Sequence, residues 1–130
     1  MEILQPPGWP RPKGYSNGIA TSGKIVVTGG LVGWDKNENF VEKDIAGQAN
    51  ITFQNILAVL NEAGASAEHI IRMTWDITDK DAYLASTKEI GLAYRQAFGK
   101  HYPAMAVIEV SSLMENAAKI EIEVTAVIPE

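Results

Sequence analysis

Between Lys119 and Ile128 the chain alternates: Ile120, Ile122, Val124, Ala126 and Ile128 fall on one side, Lys119, Glu121, Glu123, Thr125 and Val127 on the other. A period of two marks a β-strand with one buried face, and a slip of one residue would turn every apolar side chain outward. Ile70 to Thr78 repeats the pattern, with Ile71, Met73, Trp75 and Ile77 opposed to Arg72, Thr74, Asp76 and Thr78. Any fold for this chain must cover one face of these strands and leave the other to different use.

Two helices can supply the cover. Asp44 reads as an N-cap, and Ile45, Ala49, Thr52, Phe53, Ile56, Leu57, Leu60 and Ala63 recur at three- and four-residue spacing until Gly64. Gln48, Gln54, Asn55 and Glu62 fall on the other side of that helix. A second helix is expected from Asp79-Lys80-Asp81 to about Phe98, with Leu84, Thr87, Ile90, Gly91, Tyr94, Ala97 and Phe98 inward and Gly99 closing it. After it, Pro103 opens an apolar strand, Ala104 to Val110, that carries a single acid, Glu109. Ser111 to Ala118 is a loop leading into the final strand. The pattern is that of an α+β layer with two helices on one sheet face. The opposite face is too mixed for a core and too apolar for a wet surface, which suggests self-association with sites between subunits.

Residues 1–18 read as an extended arm, because Pro6, Pro7, Gly8, Pro10, Pro12, Gly14 and Gly18 exclude a helix. Its aromatics, Trp9 and Tyr15, either pin the arm to the domain or, for Tyr15, line the mouth of a pocket. Ile19 to Ser22 and Lys24 to Leu31 are expected to form a hairpin about Ser22-Gly23. Gly29-Gly30 falls where the second of these strands should continue, a signal of a bulge or of close approach by backbone or ligand.

The chain of 130 residues suits one domain, and its net charge is −5 with scattered basic residues. No basic patch is visible for nucleic acid, and no apolar run could span a bilayer. With no cysteine, disulfides and thiolate chemistry are excluded. The N-terminus lacks the basic and apolar regions of a leader, so the expectation is a soluble cytoplasmic protein. His69 and His101 lie far apart without metal-ligand spacing, so no metal site is expected. No nucleophile motif of the Gly-x-Ser-x-Gly type occurs. Carboxylates remain: Glu109 and Glu121, on strands expected to be neighbours, are either general acid–base candidates or solvated edge charges. His101 stands beside them as a proton-transfer candidate or a loop residue.

Gly14-Tyr15, the Lys24 to Gly30 strand, the helix end Asn55-Ile-Leu-Ala-Val-Leu-Asn-Glu-Ala-Gly64, Pro103-Ala104 and Lys119-Ile-Glu-Ile-Glu123 resemble the reactive intermediate deaminase family, also called Rid or YjgF. The resemblance spans almost the whole chain. It implies a chorismate-mutase-like α+β fold, a homotrimeric barrel-like assembly with clefts between subunits, and hydrolysis of enamines and imines to keto compounds and ammonia without a cofactor. Carried over by position, Tyr15 would line the cleft, Glu121 would position or activate water, and the Val107 carbonyl would contact the substrate nitrogen.

Three polar family positions are changed. The carboxylate-clamping arginine is Met105, the serine of a Ser-Gly pair is Gly29, and a helix asparagine aligns with Gly91. Methionine offers a flexible apolar contact and no ion pair. The arm Gln5 to Gly14 and the loop Gly33-Trp34-Asp35 look more similar to 2-aminomuconate deaminases, implying a dicarboxylate enamine rather than 2-aminoacrylate. Such a substrate would need anchors; Arg11, Lys13, Arg72 and His101 are candidates, with the backbone amides near Gly29 and Gly30, and Trp34 a second wall beside Tyr15. The changed positions also fit a non-catalytic metabolite-binding relative. RNA cleavage or translation inhibition, sometimes ascribed to the family, is disfavoured by the acidic balance.

Overall fold

The computed structural model describes residues 1–130. In chain order its elements are β1 (Glu2–Ile3), β2 (Ile19–Ala20), β3 (Lys24–Val27), β4 (Leu31–Val32), α1 (Ile45–Glu62), β5 (Ile70–Ile77), α2 (Lys80–Ala85), α3 (Thr87–Phe98), β6 (Ala104–Glu109) and β7 (Ile120–Ile128). A short 3-10 turn, Ala67–His69, leads into β5. Five strands form a mixed sheet in the order β3-β7-β5-β6, and β4 joins the same edge of β7 as β3. β5 and β6 are parallel, as a connection through α2 and α3 requires, and the other pairs are antiparallel. This is the α+β mixed sheet expected from the alternation. No helix is long and apolar enough to cross a membrane.

The apolar faces of β5 and β7 meet α1 and α3. Phe53 is fully buried at the centre, its ring 5.4 Å from Trp75, 5.8 Å from Tyr94 and 5.2 Å from Phe98. The tilted and edge-on contacts suit the ring quadrupoles. The other face of the sheet has no cover. It presents Arg72, Thr74, Asp76, Glu121, Glu123 and Thr125, flanked by Ile25 and Val27 at 69% and 66% exposure.

Several expectations are corrected. Residues 19–31 do not form a hairpin: β2 pairs with β1, and β3 pairs with β7. At the expected turn, the Gly23 backbone (φ 147°) instead runs so close to the Ile128 carbonyl that a Cβ would collide with it. β6 and β7 are not neighbours, because β5 lies between them. A register shift between Ile70 and Arg72 buries Ile70 in the core and leaves Ile71 only half-buried. The second helix breaks at Ser86, where Ser-Thr offers weak helix formers in sequence.

Gln48 is also displaced from its expected solvent face. It is buried, and its amide donates to the Glu42 carbonyl at 3.1 Å and the Ala117 carbonyl at 2.9 Å, while accepting from the Lys119 N–H at 2.7 Å. One side chain thus ties the start of α1 to the loop entering β7. Replacing it with the similarly sized Leu leaves all three backbone groups without that partner. We expect Gln48→Leu to lower stability by about 2–3 kcal/mol, read as a reduced urea midpoint at unchanged m-value.

Candidate active site

The first group of candidate residues lies on the open sheet face. Between β3 and β4, residues 28–30 leave the ladder. The Thr28 N–H still donates to the Val124 carbonyl at 2.9 Å, and the Thr28 hydroxyl accepts from the Val124 N–H at 3.1 Å. A side chain therefore replaces the carbonyl that the bulge has moved away. Two residues on, a Cβ at Gly30 would lie 2.5 Å from Glu121 Oε2 and 2.7 Å from its Cδ. The glutamate carboxyl is laid against bare backbone in space that any other residue would fill.

Glu121 opposes Asp76 in the register and is only partly exposed. Burial raises its pKa, and the nearby Asp76 and then Glu123 carboxylates add to the effect.

A second group lines a cleft of about 390 Å³ between the arm, β6 and α3. The arm is fixed there by Ser16, whose N–H donates to the Pro103 carbonyl at 3.0 Å and whose hydroxyl donates to the Tyr102 carbonyl at 2.5 Å. That attachment brings Tyr15 to the cleft, with Tyr102, Met105, Val107, Gly91 and Arg95 around it. Tyr102 stacks on Tyr94 at 5.7 Å and 9°, and Tyr94 donates to the His101 carbonyl at 2.6 Å. Burial first, then Tyr102, pushes the Tyr94 phenol well above its ordinary pKa, so it stays a donor. Tyr15 is 42% exposed and Trp9 59%, so neither is packed into its own chain as a pin would be.

The remaining candidates lie elsewhere. Glu109 is exposed rather than buried, at the end of edge strand β6, and Oε2 accepts from the Lys80 N–H at 2.7 Å at the start of α2. It satisfies a helix N-terminus, as acids often do. Its register partner is Ile77, which places it on the helix side of the sheet, away from Glu121. His101 Nε2 lies 2.6 Å from the Ile70 carbonyl, an acceptor only, so that nitrogen carries a proton and is engaged. Arg72 lies on the open face beside Thr74 and Glu123, not in the cleft. Trp34 packs on Phe40 at 5.7 Å, its carbonyl held by Asn55 at 2.9 Å.

Within one protomer the two groups do not meet. Glu121 is aligned with Asp76 and Ile108 on the open face, whereas Met105 is aligned with Met73 on the helix face. A full strand and the thickness of the sheet separate them.

This architecture has relatives. The sequence profile of the family described as Endoribonuclease L-PSP matches residues 10–128. The chain belongs to that family, the Rid proteins. TdcF of Escherichia coli, provisionally named a reactive intermediate deaminase, is 32% identical over 130 residues, covering 98% of this chain and 95% of that protein. Its crystal structure with bound serine matches at a TM-score of 0.69 over 98% and 99% of the two chains, with 30% identity. A 2-iminobutanoate/2-iminopropanoate deaminase of Salmonella typhimurium is 29% identical over 108 residues, 81% of this chain and 80% of that one. The Rid-family protein YyfB of Yersinia pestis, of unknown function, superimposes at a TM-score of 0.86, with 25% identity and 98% of each chain covered.

Sequence reading of this Rid protein missed three cleft features. Arg95 and Tyr83 read only as helix positions, and Trp75 only as core; no spacing rule marks a residue that reaches a cleft from the neighbouring layer. Burial raises the Tyr83 phenol pKa, and the Trp75 Nε1–H, in a side chain 3% exposed, has no hydrogen-bond partner.

The raised Glu121 pKa has a defined sign in stability. At acid pH the carboxyl is protonated in folded and unfolded chains alike. As pH rises, the unfolded chain releases the proton first, and stability from this group is lost through the folded pKa. We expect Glu121→Gln to gain melting temperature relative to the parent as the pH is raised through and above the ordinary carboxylate range, and to show no such gain at acid pH. A constant difference would mean that Glu121 is solvated like a free carboxylate.

Proposed function

We propose that the protein is a hydrolytic deaminase of carboxylate-bearing imines and enamines, acting without a cofactor at sites shared between adjacent subunits of a homotrimer. The observation that carries the reading is the Glu121 carboxyl, seated against Gly30 and biased toward its protonated form. Such a group exchanges a proton near neutral pH more readily than a free carboxylate. The relatives named as deaminases support the reaction class.

In this reading, water adds to the imine carbon and forms the C–O bond while Glu121 accepts a water proton. The same carboxyl delivers that proton to the nitrogen. The remaining hydroxyl proton then passes through the same carboxylate to the nitrogen as the C=O bond forms, and the C–N bond breaks to release ammonia. An enamine enters after tautomerising to the imine, with a proton gained at its β-carbon.

Since Glu121 and the Met105 cleft occupy opposite faces of one sheet, a shared site calls for a second copy to bring its cleft to this glutamate. The exposed Ile25 and Val27 on the glutamate's face suit such burial. Met105 cannot hold a carboxylate, while Lys13 and Arg95 line the cleft with no acid among its lining residues. On that ground we favour a dicarboxylate of the 2-aminomuconate kind over 2-aminoacrylate.

Glu121→Gln is expected to lower kcat for ammonia release by about 10²–10⁴-fold, while sedimentation still gives a particle of three 14.1 kDa chains. Full turnover in that variant would remove Glu121 from the chemistry. Absence of turnover in the parent, alongside ligand-dependent thermal stabilisation, would favour a binding protein instead.

A further inference from the structure

Gly91 and Arg95 stand one helical turn apart on α3, and both line the cleft. Helical side chains lean back toward the N-terminus, over the residue four positions earlier. Arg95 follows the rule: its Nη1 lies 3.5 Å from where a Cβ on Gly91 would stand. The guanidinium therefore lies over the open side of Gly91, at contact distance from a methyl group there, and a longer side chain at 91 would compete with it for the cleft. No carboxylate lies within ion-pair distance of it, and it makes no hydrogen bond within the chain.

The surroundings favour an incoming anion. Tyr83, kept protonated by burial, and Trp75, with an unpartnered indole N–H, line the same cleft, and Lys13 of the arm is the other cation. Donors thus outnumber acceptors around an apolar floor made by Met105 and Ile90. A planar guanidinium over such a floor matches the two oxygens of a carboxylate better than an ammonium does.

We propose that Arg95 is the specificity-determining carboxylate anchor of this protein, delivered by Gly91 from α3 to a cleft whose strand wall carries Met105. The inference deepens the deaminase reading and rests on it for the kind of substrate, but binding can be measured apart from turnover.

The test is calorimetric titration of the intact protein with pyruvate and with methyl pyruvate, which lacks the charge. The parent should bind pyruvate at least tenfold more tightly than the ester. Arg95→Gln should raise the pyruvate Kd about 10- to 100-fold with unchanged melting temperature, since Arg95 is exposed and unbonded. Gly91→Leu should produce the same loss by filling the guanidinium's place, whereas Gly91→Ala should not, 3.5 Å being an ordinary contact. Installing the charge on the opposite wall, in Arg95→Gln combined with Met105→Arg, should restore pyruvate binding. An unchanged Kd in Arg95→Gln, equal affinity for acid and ester, or no pyruvate binding by the parent would overturn the proposal. If pyruvate binding depends on Arg95 but the parent releases no ammonia from 2-aminomuconate or from 2-iminopropanoate, the anchor stands and the deaminase reading falls.

Discussion

β7 is hydrogen-bonded along both edges, to β5 on one side and to β3 and β4 on the other. A strand so held has no freedom of register once one face is committed to a core. Ile120, Ile122 and Ala126 are wholly excluded from water beneath α1. Their burial obliges Glu121 and Glu123 to project from the opposite face. The perturbed carboxyl is thus positioned by packing that it takes no part in, on the most constrained strand of the molecule. Rigid placement of this kind is what a reacting group requires.

The carboxylates near Glu121 and the cations of the cleft lie on different faces of the sheet. Asp76, Glu121 and Glu123 crowd one of them, and like charges at short range are what lift the Glu121 pKa after burial. The cleft on the other side gathers Lys13, Arg95 and neutral phenols. The sheet separates Glu121 from the cations of the cleft, and Arg72, beside Glu123, is the arginine that shares its face.

How much of this was legible in sequence depends on the range of the interaction. Alternation located β5 and β7, and three- to four-residue spacing located α1, because those signals repeat and bear on a single layer. Asp44 and Gly64 bound α1 as read, the cap accepting from the Gly47 N–H at 2.7 Å and the glycine lying at φ 75°. Strand order was another matter. Nothing local distinguishes Glu109 on an edge from Glu121 at the centre, and the expected adjacency of their strands failed because the parallel crossover puts β5 between them. The interruption at Gly29-Gly30 was visible, but its occupant, a carboxyl from a strand ninety positions away in the chain, was not. Gln48 shows the converse: a polar letter on a helix wheel reads as solvent-facing until its backbone partners are known.

The break between β3 and β4 also bears on how chains avoid one another. A long, flat outer strand is a template on which another chain can pair indefinitely. Here the outer edge consists of two short strands, Lys24–Val27 and Leu31–Val32, with the ladder interrupted between them. The opposite outer strand, β6, is engaged at its start by Ser16, which bridges to Ala104. A sheet with apolar side chains as open to water as Ile25 and Val27 would be poorly protected from fibrous growth if its margins were straight. The same three residues that make room for a carboxyl leave a second chain little to align against.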